Sequence, residues 1–411
     1  MTGRGAWPAK QRLRVSHCAV RFKPSVRYLP PETPPSDIAR HCSFFIFHFS
    51  FSETAMAERR LLLARRSRAG SPSQFVICLS GVGRGRYIFL QMRALRFHQT
   101  GSLDNLSIEE IPLPVPAPGE VLVQVKAAAI NPSDIKNVLG KMRQTTVPRI
   151  PGRDYAGIVV EGPEALRGKP VFGSGGLLGF NRDGSHAQFL AVPAVAAIPL
   201  PKNLSFEQAA GMGVAYLTAW SAMVNIARIQ PGETALILGT TGAVGSAAAR
   251  IAHSFKARVI GTARKASEIA AHHDLPVADW ISLETTDLPA GVRAMTNGRG
   301  ADVVLDVVGG AMFEKCLASL APRGRQVAIS SNPDPRVSFN LVEFYHNQSQ
   351  LLGLDSLKIT FEESGEILRL LTPGIEAGTY PPPRVETFPL DEALRFYRDP
   401  AASNLKPILI P

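Results

Sequence analysis

The stretch LILGTTGAVGSAAARIA, residues 236–252, decides how the rest of the chain is read. Its apolar LIL leads into glycines spaced G-x-x-G-x-x-G (Gly239, Gly242, Gly245), and an Ala-rich run of high helix propensity follows. A buried strand, a glycine turn and a helix open a βαβ unit. The spacing differs from the commoner G-x-G-x-x-G, but the physics is unchanged. Gly242 lets backbone approach a pyrophosphate, Gly245 lets the helix pack on the strand, and free N–H groups at the helix start attract the anion. A glycine triplet alone also describes a plain strand-to-helix turn. Its position at the first strand–helix junction of an alternating segment favours a dinucleotide.

Beyond this turn, the strand-like runs ARVIGTA, ADWISL, ADVVLDVVG and RQVAIS alternate with helices expected at 243–255, 266–273 and 311–320. That rhythm predicts a doubly wound, parallel α/β domain over 212–350. Upstream, from Met92, short runs punctuated by Gly and Pro (MRALRF, VLVQVKAAAI, AGIVV, HAQFLAV) predict an antiparallel β domain over 92–211. At the junction, Asn203 or Ser205 can cap FEQAAGMGVAYLTAWSAMVNIA, whose glycines predict two helical pieces. Residues 351–411 are too few for a core of their own and are expected to complete the β domain.

The chain has 411 residues and a net charge of +11, a value that suggests a polyanion partner until it is mapped. Residues 1–91 hold 15 Lys and Arg against 4 acids, so the remaining 30 basic and 30 acidic residues of 92–411 cancel. Nucleic-acid binding by the organised region loses its electrostatic basis. The longest apolar cluster, FFIFHFSF at 44–51, is far short of the roughly 20 residues a membrane helix needs. Four scattered cysteines form neither a disulfide framework nor a metal knuckle, which fits a reducing compartment. Residues 1–91 show no sustained periodicity and are read as a disordered extension, with translation beginning at Met92. An Arg- and Ser-rich mitochondrial transit peptide ranks second, although its prolines oppose an amphipathic helix. The corresponding locations are the cytoplasm or, on the second reading, the mitochondrion.

The second strand of the α/β domain ends in RVIGTARKASE. An NAD site usually places an acid there for the ribose 2′-hydroxyl, whereas this chain offers Thr262, Arg264 and Lys265. Two cations suit a 2′-phosphate, so NADPH is the preferred cofactor. Near the other domain's strand mouth, IPGRDYAGIVV (150–160) sets Arg153 and Asp154 before a buried run, where charges rarely enter unless paired or used.

The motifs NPSD (131–134), PGRDYAG, YLTAW (216–220), GTTGAVGSAAARIA, VVGG (307–310) and KPILIP resemble, in order and spacing, a medium-chain dehydrogenase/reductase. The resemblance is to the zinc-free, quinone oxidoreductase-like branch and covers Met92 to Pro411. It implies a GroES-like substrate domain around a Rossmann domain, with the active site in the cleft between them. It further implies that Asn131 and Thr218 lie near the nicotinamide and that Thr241, Gly242, Ala243, Val244 and Gly245 hold the pyrophosphate. Val308, Gly309 and the backbone at Ser330 and Ser331 are implied to line the nicotinamide pocket. A homodimer formed through a Rossmann edge strand is implied as well.

Zinc-dependent relatives carry Cys in the loop held here by NPSD, and Gly-His-Glu where this chain has Gly-Arg-Asp. A catalytic zinc needs three thiolate, imidazole or carboxylate ligands; neither the loop nor position 153 supplies one, and no metal is expected. The remaining chemistry is hydride delivery to a small-molecule substrate already made electrophilic by a conjugated carbonyl, such as a quinone or enone. Some relatives that reduce enoyl thioesters use a loop tyrosine as proton donor. Met142 stands at that place here, leaving Lys136, Tyr155 or water as donors, with Arg153 and Asp154 positioning substrate or filling the space of a metal. Reduction of acyl thioesters, or a nucleotide-binding protein without catalysis, are the alternative readings.

Overall fold

The computed structural model describes residues 42–45, 61–66, 74–79, 86–330, 335–399 and 405–411. The chain divides into two compact units, Met1–Gln91 and Met92–Pro411. In the first, β1 (Cys42–Phe45), β2 (Leu61–Arg66), β3 (Gln74–Leu79) and β4 (Arg86–Phe89) pair antiparallel in chain order.

The second unit opens with β5 (Gln91–Phe97) and β6 (Leu106–Pro112), which pair with each other. There follow β7 (Glu120–Ala129), helix α1 (Pro132–Val138), β8 (Asp154–Glu161), β9 (Pro170–Gly173), β10 (Phe189–Pro193) and β11 (Ile198–Pro199). After helix α2 (Phe206–Trp220) the rhythm alternates: β12 (Thr234–Leu238), α3 (Ala243–Ser254), β13 (Arg258–Ala263), α4 (Ala266–Ile269) and β14 (Asp279–Ser282). It continues through α5 (Leu288–Met295), β15 (Ala301–Asp306), α6 (Phe313–Ala318), β16 (Leu320–Ala328), α7 (Leu341–His346) and β17 (Gln350–Gly353). The chain closes with α8 (Phe361–Glu376), β18 (Val385–Pro389), α9 (Ala393–Arg398) and β19 (Lys406–Ile410).

Two sheets organise this unit. The six-stranded one runs β14-β13-β12-β15-β16-β17 with every pair parallel, and β12 and β13 are buried almost throughout. Strands covered on both faces read as continuous apolar runs, and TALIL and ADVVLD do so. The seven-stranded sheet runs β11-β9-β8-β7-β19-β18, with β10 also on β7. Here β19, from the far end of the chain, pairs antiparallel with β7 through Ile408 and Leu409. The fold is thus a GroES-like antiparallel β layer joined to a doubly wound parallel sheet.

Helix α2 belongs to both layers. Its Ala209, Ala210, Met212 and Leu217 share one apolar core with Phe172 and Ile408 of the antiparallel sheet and with Ile237 and Val303 of the parallel one. Ser205 caps it, its hydroxyl accepting from Gln208 N at 3.2 Å; Asn203 instead donates to the Ile375 carbonyl. The glycines do not divide it as expected. The helix runs unbroken to Trp220, and a π-helical turn over Ser221–Ile226 follows. Gly211 and Gly213 serve close approach instead: a Cβ on Gly213 would sit 2.3 Å from an Asp154 carboxylate oxygen.

Candidate functional site

The glycine turn joins β12 to α3. Gly239 takes a positive φ of 78°, open to few residues other than glycine, and a Cβ on Gly245 would lie 2.1 Å from the Gly239 carbonyl oxygen. Both requirements are steric and met inside the protein. Gly242 differs. It is exposed, caps α3, and a Cβ there would approach only the Gly239 carbonyl, at 3.3 Å. Thr241, Ala243 and Val244 lie beside it, partly or fully exposed, where the first N–H groups of a twelve-residue helix remain open to an anion. These residues fit a dinucleotide pyrophosphate.

Thr262 has a role other than contact with a ribose. It is fully buried; its hydroxyl accepts from Gly239 N at 2.9 Å and donates to the Ile237 carbonyl at 3.1 Å. Its own N–H donates to the Thr240 hydroxyl at 2.8 Å, so two threonines lock the glycine turn to the end of β13. Arg264 and Lys265 follow, both exposed; Arg264 pairs only with Glu268 one helical turn on, at 3.1 Å.

At the end of β15, Asp306 shapes the VVGG turn. Its Oδ1 accepts from Val308 N (3.0 Å) and Gly309 N (2.7 Å), and Oδ2 accepts from Gln326 Nε2 (3.2 Å). Burial holds this carboxyl above its ordinary range although those three donors oppose the shift. Val308 is left partly exposed and Gly309 takes a φ of 70°. Ser330 is half-buried two residues beyond β16, and Ser331 lies outside the described residues.

The mouth of β8 is a network of buried charges. Asp154 accepts from Asn131 Nδ2 at 2.9 Å and from Val214 N, in the middle of α2, at 2.9 Å, while its carbonyl accepts from the Ser185 hydroxyl. Asn131 donates its N–H to Asp134 at 2.8 Å, and its Oδ1 accepts from Lys406 Nζ at 2.6 Å. Asp134 is fully buried, and desolvation, aided by the Asp154 charge, pushes its carboxyl up to about 7. Behind it, His186 donates from Nε2 to the Ala129 carbonyl at 3.1 Å, and its Nδ1 accepts from the Tyr397 hydroxyl at 2.9 Å. Burial lowers His186 to about 4, and the two bonds suit a neutral ring.

Arg153 and Asp154 find separate partners. The Arg153 guanidinium turns to the loop before α8, where Nη2 donates to the Ser356 carbonyl at 2.9 Å and Nη1 to the Ser356 hydroxyl at 3.3 Å. It also lies 5.9 Å from the centroid of the Phe180 ring. Only Asp154 reaches the Asn131 loop. Tyr155 is a correction to the sequence reading: it is fully buried in the antiparallel core and its hydroxyl donates to the Ala196 carbonyl at 2.9 Å, which removes it from any substrate. Lys136 is half-buried in the last turn of α1.

Among the described residues, five of the nine buried side-chain polar atoms without a partner belong to the segments that form this mouth: Ser133 Oγ, Asp134 Oδ1, Arg153 Nε, Ser174 Oγ and Thr218 Oγ1. Asp134 is joined to Asp154 through Asn131, and Asp154 and Ser174 both crowd Gly213. Thr218 lies one turn along α2 from Val214, whose N–H Asp154 accepts. An orphaned buried polar group costs about 1–3 kcal/mol and is rare in native proteins. A cluster of them marks where a polar ligand belongs. Among the described residues, no three His, Cys, Asp or Glu side chains converge as a metal-ligand set. At the position of interest, a guanidinium has no lone pair to offer, and Asp154 alone does not make the three protein ligands that a catalytic zinc needs. This donor set does not fit zinc.

Sequence reasoning missed Asp134, Asp306, His186, Tyr397 and, as a site residue, Lys406. Only Asp134 left a signal, as the acid three residues after Asn131 in a capping-box spacing.

Residues 117–202 match the alcohol dehydrogenase GroES-like domain, and residues 243–372 match the zinc-binding dehydrogenase family. The zinc-type alcohol dehydrogenase-like protein of Schizosaccharomyces pombe is 35% identical over 314 residues, which cover 75% of this chain and 92% of that one. Mouse quinone oxidoreductase is 27% identical over 325 residues, 75% of this chain and 93% of its own. A solved NAD-dependent alcohol dehydrogenase superposes with a TM-score of 0.72 at 29% identity, covering 78% of this chain and all (100%) of that one. The fold and the dinucleotide turn define a nicotinamide-dinucleotide-dependent oxidoreductase. More narrowly, the chain belongs to the medium-chain dehydrogenase/reductase superfamily, as a quinone oxidoreductase-like member.

Proposed function

We propose that the protein is an NADPH-dependent, zinc-independent reductase of quinones or α,β-unsaturated carbonyls. The observation that carries this reading is the cluster of orphaned polar atoms around a strand mouth held by Arg153 and Asp154, in place of a metal-ligand set. Without a Lewis acid, the substrate must bring its own electrophilic carbon, as a conjugated carbonyl does. A bound dinucleotide would supply the hydride. Thr241 to Gly245 would hold its pyrophosphate, and Val308, Gly309, Ser330, Ser331, Asn131 and Thr218 would surround its nicotinamide. The proton returns from solvent or from Lys136, since Tyr155 is committed to Ala196.

NADPH is favoured over NADH because Thr262 is consumed internally and the next side chains are cations. The exposed Arg264–Glu268 pair contributes a few tenths of a kcal/mol at most, so a phosphate dianion displaces Glu268 readily. In this reading 92–211 with 351–411 form the substrate domain and 212–350 the dinucleotide domain, which the place of β18 and β19 beside β7 supports. Exposed Leu341, Val342 and Tyr345 of α7 and Leu351 of the edge strand β17 suit a homodimer. The sparse cysteines suit the cytoplasm.

The test is NADPH oxidation by protein begun at Met92, screened against quinones, enones and enoyl thioesters. Turnover of the first two classes is the expected result. Turnover of thioesters alone moves the assignment to acyl reduction, and NADPH binding without turnover of any class overturns it.

A further inference from the structure

Lys406 opens β19 and sits among groups far from it in sequence. Its backbone is fixed on both sides: its N–H donates to the Arg384 carbonyl at 2.9 Å, and the Pro407 carbonyl accepts from Ile130 N at 3.1 Å. Its ammonium donates to the Ile130 carbonyl at 3.0 Å and to Asn131 Oδ1 at 2.6 Å. Burial lowers this ammonium from the ordinary lysine range, while Asp154 and Asp134 oppose the shift. No carboxylate touches it among the described residues, so its charge reaches Asp154 through the Asn131 amide. Lys406 is half-buried, and holding an ammonium even there is costly, so an apolar side chain of similar length would pack more cheaply if packing were the whole role.

The arrangement fixes one degree of freedom. The two ends of an asparagine amide are almost isosteric, and a flip exchanges donor for acceptor. Here a cation lies on the oxygen side and a carboxylate on the nitrogen side, and the Asn131 N–H is held by Asp134. A flip would set the amide NH2 against an ammonium and the amide oxygen against a carboxylate. With the flip forbidden, one N–H of Nδ2 and one lone pair of Oδ1 remain for a ligand, in fixed directions.

We propose that Lys406 is a positioning residue for the reduction, acting through Asn131 by locking the orientation of its amide. This rests on the reading that Asn131 faces the nicotinamide and substrate.

A double-mutant cycle tests it: wild type, Lys406→Met, Asn131→Ala and the double variant, each assayed for kcat, KM and dinucleotide Kd by NADPH fluorescence. The expected result is a loss of about tenfold in kcat/KM for each single variant and no further loss in the double, because the lysine then has nothing to position. Losses that multiply overturn the proposal and make Lys406 a structural residue. Where Lys406→Met fails to fold, the same cycle is read with Lys406→Gln, which keeps an N–H donor. A wild type that binds NADPH without turnover overturns the reductase reading, and the coupling of Lys406 to Asn131 is then read on the dinucleotide Kd, where losses that multiply overturn it. A wild type that binds no dinucleotide overturns the function reading and this inference together.

Discussion

The glycine turn after β12 and the charged mouth of β8 are built on opposite principles. The turn is made of backbone. Its shape comes from a positive φ at Gly239 and from the missing side chain of Gly245, and two threonines hold it to the end of β13. The mouth is made of side chains, with Asp154, Asn131, Asp134 and Lys406 linked in one buried chain of hydrogen bonds. A backbone site tolerates no added atoms and is nearly indifferent to pH. A site of buried charges tolerates isosteric change and responds to pH.

Substitution at the turn gives the largest expected effect. Gly245→Val drives its Cβ into the Gly239 carbonyl and should cost about 3 kcal/mol or more, with loss of dinucleotide binding, seen in urea unfolding and NADPH fluorescence. The mouth should answer to pH instead. The folded-state pKa of His186 is depressed to about 4, so its stabilising contribution is present above the unfolded value near 6.5 and is lost as pH falls toward 4. Unfolding free energies measured across that window should drop by about 3 kcal/mol from this group. Asp134 has the opposite sign. Its pKa is raised to about 7, so stability present below about 4 is lost as pH rises through 7, and Asp134→Asn should flatten that limb. The two limbs share the window from about 4 to 6.5 and oppose each other there, so Asp134→Asn should uncover the His186 limb, and a variant profile that stays flat across that window would show that the mouth is not charged as described.

Two smaller effects sharpen the contrast within the turn itself. Thr262→Val removes the acceptor for Gly239 N and should raise the Kd for NADH and NADPH alike, by about tenfold. Replacing Arg264 and Lys265 with Ala should weaken NADPH alone, by several-fold to tenfold, and leave NADH unchanged. Equal losses for both cofactors in the second experiment would remove the 2′-phosphate assignment.

The same contrast explains what could be read from sequence. The glycine spacing imposes a local steric rule, so the strand, turn and helix over 236–252 were legible from a single line of text. The alternation that follows made the parallel sheet legible too. At the mouth, NPSD and GRDY identified the location but not its wiring. Asn131 finds one partner 23 residues away and another 275 away, and no local period links them. Arg153 and Asp154 are adjacent in sequence, but Arg153 precedes the strand that Asp154 opens, and the two reach Ser356 and Asn131 respectively. The glycines of α2 looked like breaks because a helix interior disfavours them, but Gly213 makes room for the Asp154 carboxylate.

The distance between Asn131 and Lys406 also sets an order of events during synthesis. At about 5–20 residues per second, roughly 14 to 55 seconds separate their appearance, for the 275 positions between them. Through that interval β7 has no β19 beside it, and the Asn131 amide lacks the cation that orients it. The nascent chain can form its glycine turn as soon as β13 is available, long before the mouth of β8 is wired.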